Sequence, residues 1–378
     1  MPGCAGGFWR PETGKVAGCV PSRILRSPDA RSGPAAHAAP PRGRGAEPAG
    51  GTGMLLARHE RRPAATDIHP DPSGVRHQLI RLPQDFSPPP GHPHVSPHRV
   101  VHHHFTVDVE EYFQVSAMEP HVPRSAWDTL PSRVVDSTVR ILDLLEAHDT
   151  RGTFFTLGWV ARRHPDLVRR IAKAGHEVAS HGWDHKRVTQ LDPEAFRTQA
   201  RDSRAILEDL SGKPVRGYRA PSFSIVPGLE WALEILAEEG YAYDSSLYPV
   251  RRRGYGFPGG GRHVHALPLE AGPLTEVPPL TIRARGFTLP AGGGGTFRQL
   301  PLAYTVRAFA AMEAEGMGGG TFYIHPWEVD PGQPRVDGVP LRTRIRHYRG
   351  LARTETRLAA LLARFRFRPI AETLAAGN

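Results

Sequence analysis

From Phe105 onward the sequence alternates short apolar runs with longer stretches of helical spacing, and this alternation constrains the fold more than any other feature. Residues 104–109, 153–157, 176–180, 215–219, 241–244, 274–277 and 321–324 read as strands. Between them, residues 132–148, 158–174, 193–210, 228–239 and 303–315 place apolar residues at helical spacing, with Gly175 and Gly240 suited to close two of the helices. Strands alternating with helices predict βα units around a parallel sheet or barrel, an α/β fold. Residues 342–366 predict one more helix, basic and amphipathic, with Leu351, Leu358, Leu362 and Phe365 near its docking face. The Gly-rich stretches 254–261 and 292–295 lack the spacing of a phosphate loop and read as flexible surface loops.

The first hundred residues have a different texture. They hold 17 of the 38 Pro and 13 of the 40 Gly, with 13 Lys and Arg against 7 Asp and Glu, which accounts for more than half of the formal charge of +10. So few large apolar residues cannot offset the entropy of ordering. Residues 1–100 are therefore expected to be a disordered Pro/Gly/Arg-rich tail or an over-extended N-terminus, and residues 101–378 the folded part. With most of the basic surplus outside that part, a nucleic-acid partner is not expected. Cys4 and Cys19 both lie in the tail, so the domain has no disulfide and no thiolate metal site. Any metal must be held by His and carboxylate. No apolar run reaches the roughly 18 residues of a membrane span, and the start lacks the apolar core of a secretory signal, which gives a cytoplasmic expectation.

Reactive polar residues follow the apolar runs four times: Asp108 and Glu110 in FTVDVE, His181 and His185 in HEVASHGWDH, Arg219 in VRGYRAP, and His325 in TFYIHPWE. In α/β barrels the carboxyl ends of the strands converge, so these residues are expected in one cleft. His181 and His185, four apart, would present both rings on one side of a helical turn, and Gly182 frees the backbone to make it. Two imidazoles and a carboxylate leave coordination positions open for water and substrate. Asp108 and Glu110, two apart on a strand, face the same side, so one can ligate while the other takes a proton. Glu111 reads better as a solvated strand end. Arg219 is placed to hold Asp108 by a bidentate hydrogen bond. His325 is either a satisfied core histidine or a general acid in a dry pocket. Trp183, Trp327, Tyr218 and Phe223 flank these positions, as sugar platforms or as core.

In order, TVDVE, GTFFTLGWVARRHPDLVRRIAKAGHEVASHGWDH, GYRAPSF, YDSSLYP and TFYIHPWEVDPGQPR resemble the polysaccharide deacetylases with a NodB-homology domain. The opening DVEEYFQV and the closing HPWE…RHYRGLARTETRL are most similar to the subgroup found with exosortase and exopolysaccharide clusters. The resemblance covers residues 104–368 and implies a distorted (β/α) barrel of about seven strands. It implies that His181 and His185 ligate a divalent metal, with zinc expected, that Asp108 is the catalytic base oriented by Arg219, and that His325 protonates the leaving amine. The family's usual first motif, Thr-Phe-Asp-Asp-Gly, has adjacent Asp residues. Here the second carboxylate falls one residue later, so Glu110 is expected as the third ligand, with Asp108 and Glu110 exchangeable and Glu111 a weaker candidate. Pro221, Phe223, Trp183 and Trp327 are expected to line the substrate site.

The implied reaction is metal-assisted removal of N-acetyl groups from amino sugars of a bacterial exopolysaccharide, with peripheral contact to a lipid-linked substrate compatible with it. O-acetyl ester cleavage, hydrolysis of another C–N bond, and a catalytically silent carbohydrate-binding protein are the alternatives on the same fold. A two-His, one-carboxylate iron oxygenase uses the same ligand types, but on an antiparallel β framework that the predicted helices do not fit.

Overall fold

The computed structural model describes residues 100–376 except Arg253; the expectations for residues 1–99 lie outside that range. Ten strands are present among the described residues: β1 (His104–Val109), β2 (Thr153–Thr156), β3 (Glu177–Ser180), β4 (Gly217–Tyr218), β5 (Tyr243–Asp244), β6 (His265–Leu267), β7 (Leu274–Glu276), β8 (Thr281–Ala284), β9 (Phe287–Pro290) and β10 (Thr321–Ile324). Eight form one sheet in the order β10-β1-β2-β3-β4-β5-β7-β6, and β8 and β9 form a separate hairpin. Every neighbouring pair in the large sheet is parallel except β6 with β7. The result is an α/β fold whose curled, half-barrel sheet has seven parallel strands and an antiparallel edge, in agreement with the expected class.

β1 lies second in the sheet, between the edge strand β10 and β2, and is buried at all six residues. Strands covered on both faces read as continuous apolar runs, and this is why they were legible in the sequence. The helices are α1 (Val134–Ala147), α2 (Gly158–Arg163), α3 (Pro165–Lys173), α4 (Pro193–Ser211), α5 (Trp231–Glu238), α6 (Gly294–Gln299), α7 (Leu302–Ala314), α8 (Leu341–Tyr348), α9 (Thr354–Leu362) and α10 (Ile370–Ala376). α4 shows the chemistry of a well-marked helix: the Asp192 side chain accepts from the Ala195 N–H, Pro193 occupies the first turn, and Gly212 closes the end at φ +65°.

Two predicted helices are broken. Residues 158–174 divide at His164 because Pro165 has no N–H to continue the ladder and restricts the residue before it. Residues 342–366 divide at Gly350, which takes φ +83° between α8 and a 3₁₀ turn at Leu351–Arg353 that runs into α9. Leu351, Leu358, Leu362 and Phe365 are nonetheless all buried, as their spacing implied. The reading of residues 292–295 as a flexible surface loop is also corrected. Gly292, Gly293 and Gly294 are buried, and a Cβ on Gly294 would stand 1.9 Å from a carboxylate oxygen of Glu328. These glycines permit close packing of a loop against β10.

The same demand operates between β4 and β5, where Gly217 is in register with Tyr243. A Cβ at Gly217 would lie 2.0 Å from the buried Tyr243 ring. Gly217→Ala is expected to cost about 1–3 kcal/mol as overpacking. A urea midpoint unchanged from wild type would contradict this.

Candidate metal centre and active site

The ends of β1, β3, β4 and β10 bring the predicted residues together. Asp108, in the last turn of pleat of β1, is 1% exposed, and Arg219, just after β4, is fully buried. Arg219 Nη1 donates to Asp108 Oδ1 at 2.7 Å and to Thr106 Oγ1 at 2.7 Å, while Nη2 donates to Ser245 Oγ at 2.8 Å. The contact with Asp108 is therefore single, not the bidentate fork expected from sequence, because the second arm of the guanidinium is taken by Ser245. Phe155 stacks under the guanidinium at 4.0 Å, a cation–π contact made in a desolvated setting. Held through Oδ1, Asp108 leaves Oδ2 directed toward the cleft, 3.8 Å from His325 Nε2.

Glu110, His181 and His185 form the one group of three His, Cys, Asp or Glu side chains among the described residues with a metal-ligand arrangement: one donor atom from each lies within 4.8 Å of the others. All three are buried. His181 and His185 do not share a helical turn as their spacing suggested. They face each other across a loop in which Gly182 takes φ +75° and His185 φ +58°, with ring centroids 5.6 Å apart. Left-handed backbone at a non-glycine residue is unfavourable and concentrates at functional sites. Backbone bonds brace the loop, from Gly158 N to Gly182 O at 2.9 Å and from Trp159 N to Trp183 O at 2.8 Å.

The Arg219 carbonyl accepts from His181 Nδ1 at 2.8 Å, which fixes the tautomer and leaves Nε2 as a lone-pair donor. Burial holds His181 near a pKa of about 4, so its ring is neutral and able to ligate. Glu110 Oε2 lies 2.8 Å from His185 Nε2 yet makes no well-directed hydrogen bond. Burial pushes the Glu110 carboxyl upward, but His185 and His325 outweigh it and hold the group at about 2, ionised at any ordinary pH. A buried carboxylate oxygen without a hydrogen-bond donor, beside two imidazoles, is the chemistry of a cation site.

His325 follows β10 and is one-fifth exposed at its side chain. Glu328, three residues on, accepts from His325 Nδ1 at 2.9 Å and from its backbone N–H at 3.1 Å. His325 Nε2 therefore faces the space between Asp108 and Glu110, 3.7 Å from Glu110 Oε1. Burial disfavours the charged ring, but Glu110, Glu328 and Asp108 more than compensate and raise its pKa to about 9. Carboxylates of Asp108, Glu110 and Glu328 surround the ring. Glu328 is in turn held by Arg298 Nε at 2.7 Å, both side chains being about 1% exposed. Burial alone would raise the Glu328 carboxyl; Arg298 and His325 hold it at about 2.

Glu328 and Arg298 are the neighbours of His325 missed in the sequence. The i, i+3 spacing of His325 and Glu328 was the available signal for the first. Arg298 had none, because it approaches from α6 behind the glycine run.

Among the expected substrate residues, Phe223 packs on Tyr323 at 4.8 Å and lies 5.6 Å from the Arg219 guanidinium, with Pro221 beside Gly182. Trp327 is buried; it stacks on His325 at 5.2 Å and donates Nε1–H to Glu110 Oε1 at 3.2 Å, so it supports the centre from within. Trp183, on the loop between His181 and His185, packs against Gly158 at the start of α2, beneath Arg162. Tyr218 is core, packed on Phe196 and Tyr241. Glu111 is fully buried, not a solvated strand end: it accepts from Ser132 Oγ and from the Arg133 N–H at the start of α1, and is outside the Glu110–His181–His185 group. No helix among the described residues is long and apolar enough to cross a membrane.

The family model described as polysaccharide deacetylase matches residues 122–241, and that described as a domain of unknown function (DUF3473) matches residues 245–375. The chain is 34% identical over 101 residues to a peptidoglycan-N-acetylglucosamine deacetylase of Bacillus cereus, covering 26% of this chain and 37% of that protein. It is 44% identical over 66 residues to a chitooligosaccharide deacetylase of Rhizobium leguminosarum bv. trifolii, covering 18% of this chain and 31% of that protein. It thus spans about a third of the length of these curated relatives. The crystal structure of Puue allantoinase superposes with a TM-score of 0.51 at 19% identity, over 79% of this chain and 95% of that one, a likeness of fold. His181, His185 and Arg219 fall in the first matched segment and His325 and Glu328 in the second, so one site draws on both: the chain carries a polysaccharide deacetylase domain joined to a DUF3473 domain.

Proposed function

We propose that residues 101–378 form a metal-dependent hydrolase that removes N-acetyl groups from amino sugars of a bacterial exopolysaccharide. The observation that carries this reading is the Glu110–His181–His185 group, with Asp108 and His325 directed into the same space. Its N and O donors, neutral imidazole and ionised carboxylate, fit zinc. The deacetylase domain and the relatives named above favour acetamide as the bond cleaved. The choice of an exopolysaccharide rests on the resemblance of the DVEEYFQV and RHYRGLARTETRL motifs.

A divalent cation bound there supplies Lewis acidity, polarising the acetyl carbonyl and lowering the pKa of water. The remaining work falls to the chain. Asp108, fixed through Oδ1 by Arg219, takes a proton from the attacking water at Oδ2. His325, turned by Glu328 so that Nε2 faces the cleft, gives a proton to the departing sugar nitrogen. The water oxygen bonds to the acetyl carbon as the C–N bond breaks, and acetate and a free amine leave. Trp327 and Arg219 keep Glu110 and Asp108 apart in their separate hydrogen-bonded positions.

Acetate release from a panel of N-acetylhexosamine polymers, with and without chelator, tests the reading. Chelation is expected to abolish release, and restored zinc to recover it; release insensitive to chelation would contradict the proposal. Asp108→Asn and His325→Ala are each expected to lower kcat by roughly 10²–10⁴ with the fold intact by circular dichroism. Full activity in Asp108→Asn would remove it as the base.

A further inference from the structure

Next to the site, across Trp327 and His347, lies a second cleft of about 240 Å³, lined by Pro331, Gln333, Arg335, Tyr348, Leu351 and Arg353 among others. It adjoins the centre through a continuous stack: the rings of His325 and Trp327 are 5.2 Å apart, and those of Trp327 and His347 are 4.2 Å apart. Gln333 joins the two, donating to the Trp327 carbonyl at 2.7 Å and bonding His347 Nε2 at 2.8 Å.

Charge is concentrated here without compensation. Two arginines, Arg335 and Arg353, line the cleft, and no acidic residue does. Arg335 lies over the Tyr348 ring at 4.7 Å, and neither it nor Arg353 has a carboxylate within ion-pair distance among the described residues. The acids nearest these arginines in the chain, Asp337 and Glu355, pair with neither. Asp330, which precedes the lining residue Pro331, is already engaged by Arg133 at 2.8 Å. Arg298 fixes the floor by donating to the backbone carbonyls of His347 and Arg349.

We propose that this cleft binds an anionic sugar, a few units along the polymer from the acetylated residue at His325. Tyr348 and Leu351 offer an apolar wall for a sugar ring, and the guanidinium forks of Arg335 and Arg353 match a carboxylate or phosphate bidentately. A neutral sugar would leave both forks unused. The inference rests on the proposed deacetylase reading for its link to turnover, but the binding it describes does not depend on turnover.

Calorimetric binding of matched N-acetylated oligosaccharides, neutral, uronate-bearing and phosphate-bearing, to the full chain tests it. The two anionic arms separate uronate from sugar phosphate. One of them is expected to bind at least about tenfold more tightly than the neutral ligand, and Arg335→Gln/Arg353→Gln is expected to erase that advantage. Neutral ligand should bind the variant as it binds wild type. Where acetate release is followed in parallel, KM for the anionic substrate should rise and kcat stay unchanged. Equal binding of all three ligands to wild type, or an anionic preference that survives in the variant, would overturn the proposal. Arginine-dependent binding to vesicles of anionic lipid, with no anionic preference among the oligosaccharides, would overturn it in favour of a membrane contact. Loss of acetate release with the anionic preference intact would overturn only the deacetylase reading.

Discussion

A guanidinium with no exposure, that of Arg219, held by groups from β1, β2 and the end of β5, is the constraint on which the rest of the site depends. Removing Arg219 from water is costly, and the cost is offset only because every direction in which it can donate is met. Thr106 and Asp108 meet it from β1, Ser245 from the end of β5, and the Phe155 ring from β2. These contacts span residues 106–245 of the chain and close only when the strands are in register. The ion pair is thus a device of specificity as well as chemistry. It decides which oxygen of Asp108 is free, and its carbonyl decides which nitrogen of His181 is free.

A second buried pair repeats the arrangement on the other side of the cleft. Arg298 and Glu328 are each satisfied by the other and by backbone, and Glu328 sets the ring of His325. Arg219 follows β4 and Glu328 follows β10, and the groups they hold, Asp108 Oδ2 and His325 Nε2, are 3.8 Å apart. This explains why Gly294, at the start of α6, tolerates no side chain: a Cβ there would displace the carboxylate that orients His325. The site is also assembled from both matched segments, with Arg298, His325 and Glu328 in the second, so DUF3473 supplies part of the same cleft.

Much of this was legible in the sequence, for a physical reason. Parallel strands buried on both faces leave short apolar runs, and the polar residues that follow them fall at one end of the sheet, so Asp108, His181, Arg219 and His325 could be placed together. Local spacing said less about geometry. His181 and His185 meet through two left-handed residues and not through a helical turn. Arg219 makes one bond to Asp108 because Ser245, invisible as a partner in one dimension, claims its other arm. Trp327 carries the same signal as a sugar platform but points inward to Glu110. The predicted helices ran through Pro165 and Gly350 although both residue types favour a break, whereas the packing of Gly293 and Gly294 depends on Tyr323 and Glu328, some thirty residues away.

The central claim is a division of labour between two carboxylates two residues apart, one among the imidazoles and the other bound to Arg219. Zinc stoichiometry by mass spectrometry of purified wild type, Glu110→Gln and Asp108→Asn tests it most directly. The account predicts about one zinc per chain in wild type and in Asp108→Asn, and loss of the metal in Glu110→Gln. Metal retained by Glu110→Gln and lost from Asp108→Asn would contradict it.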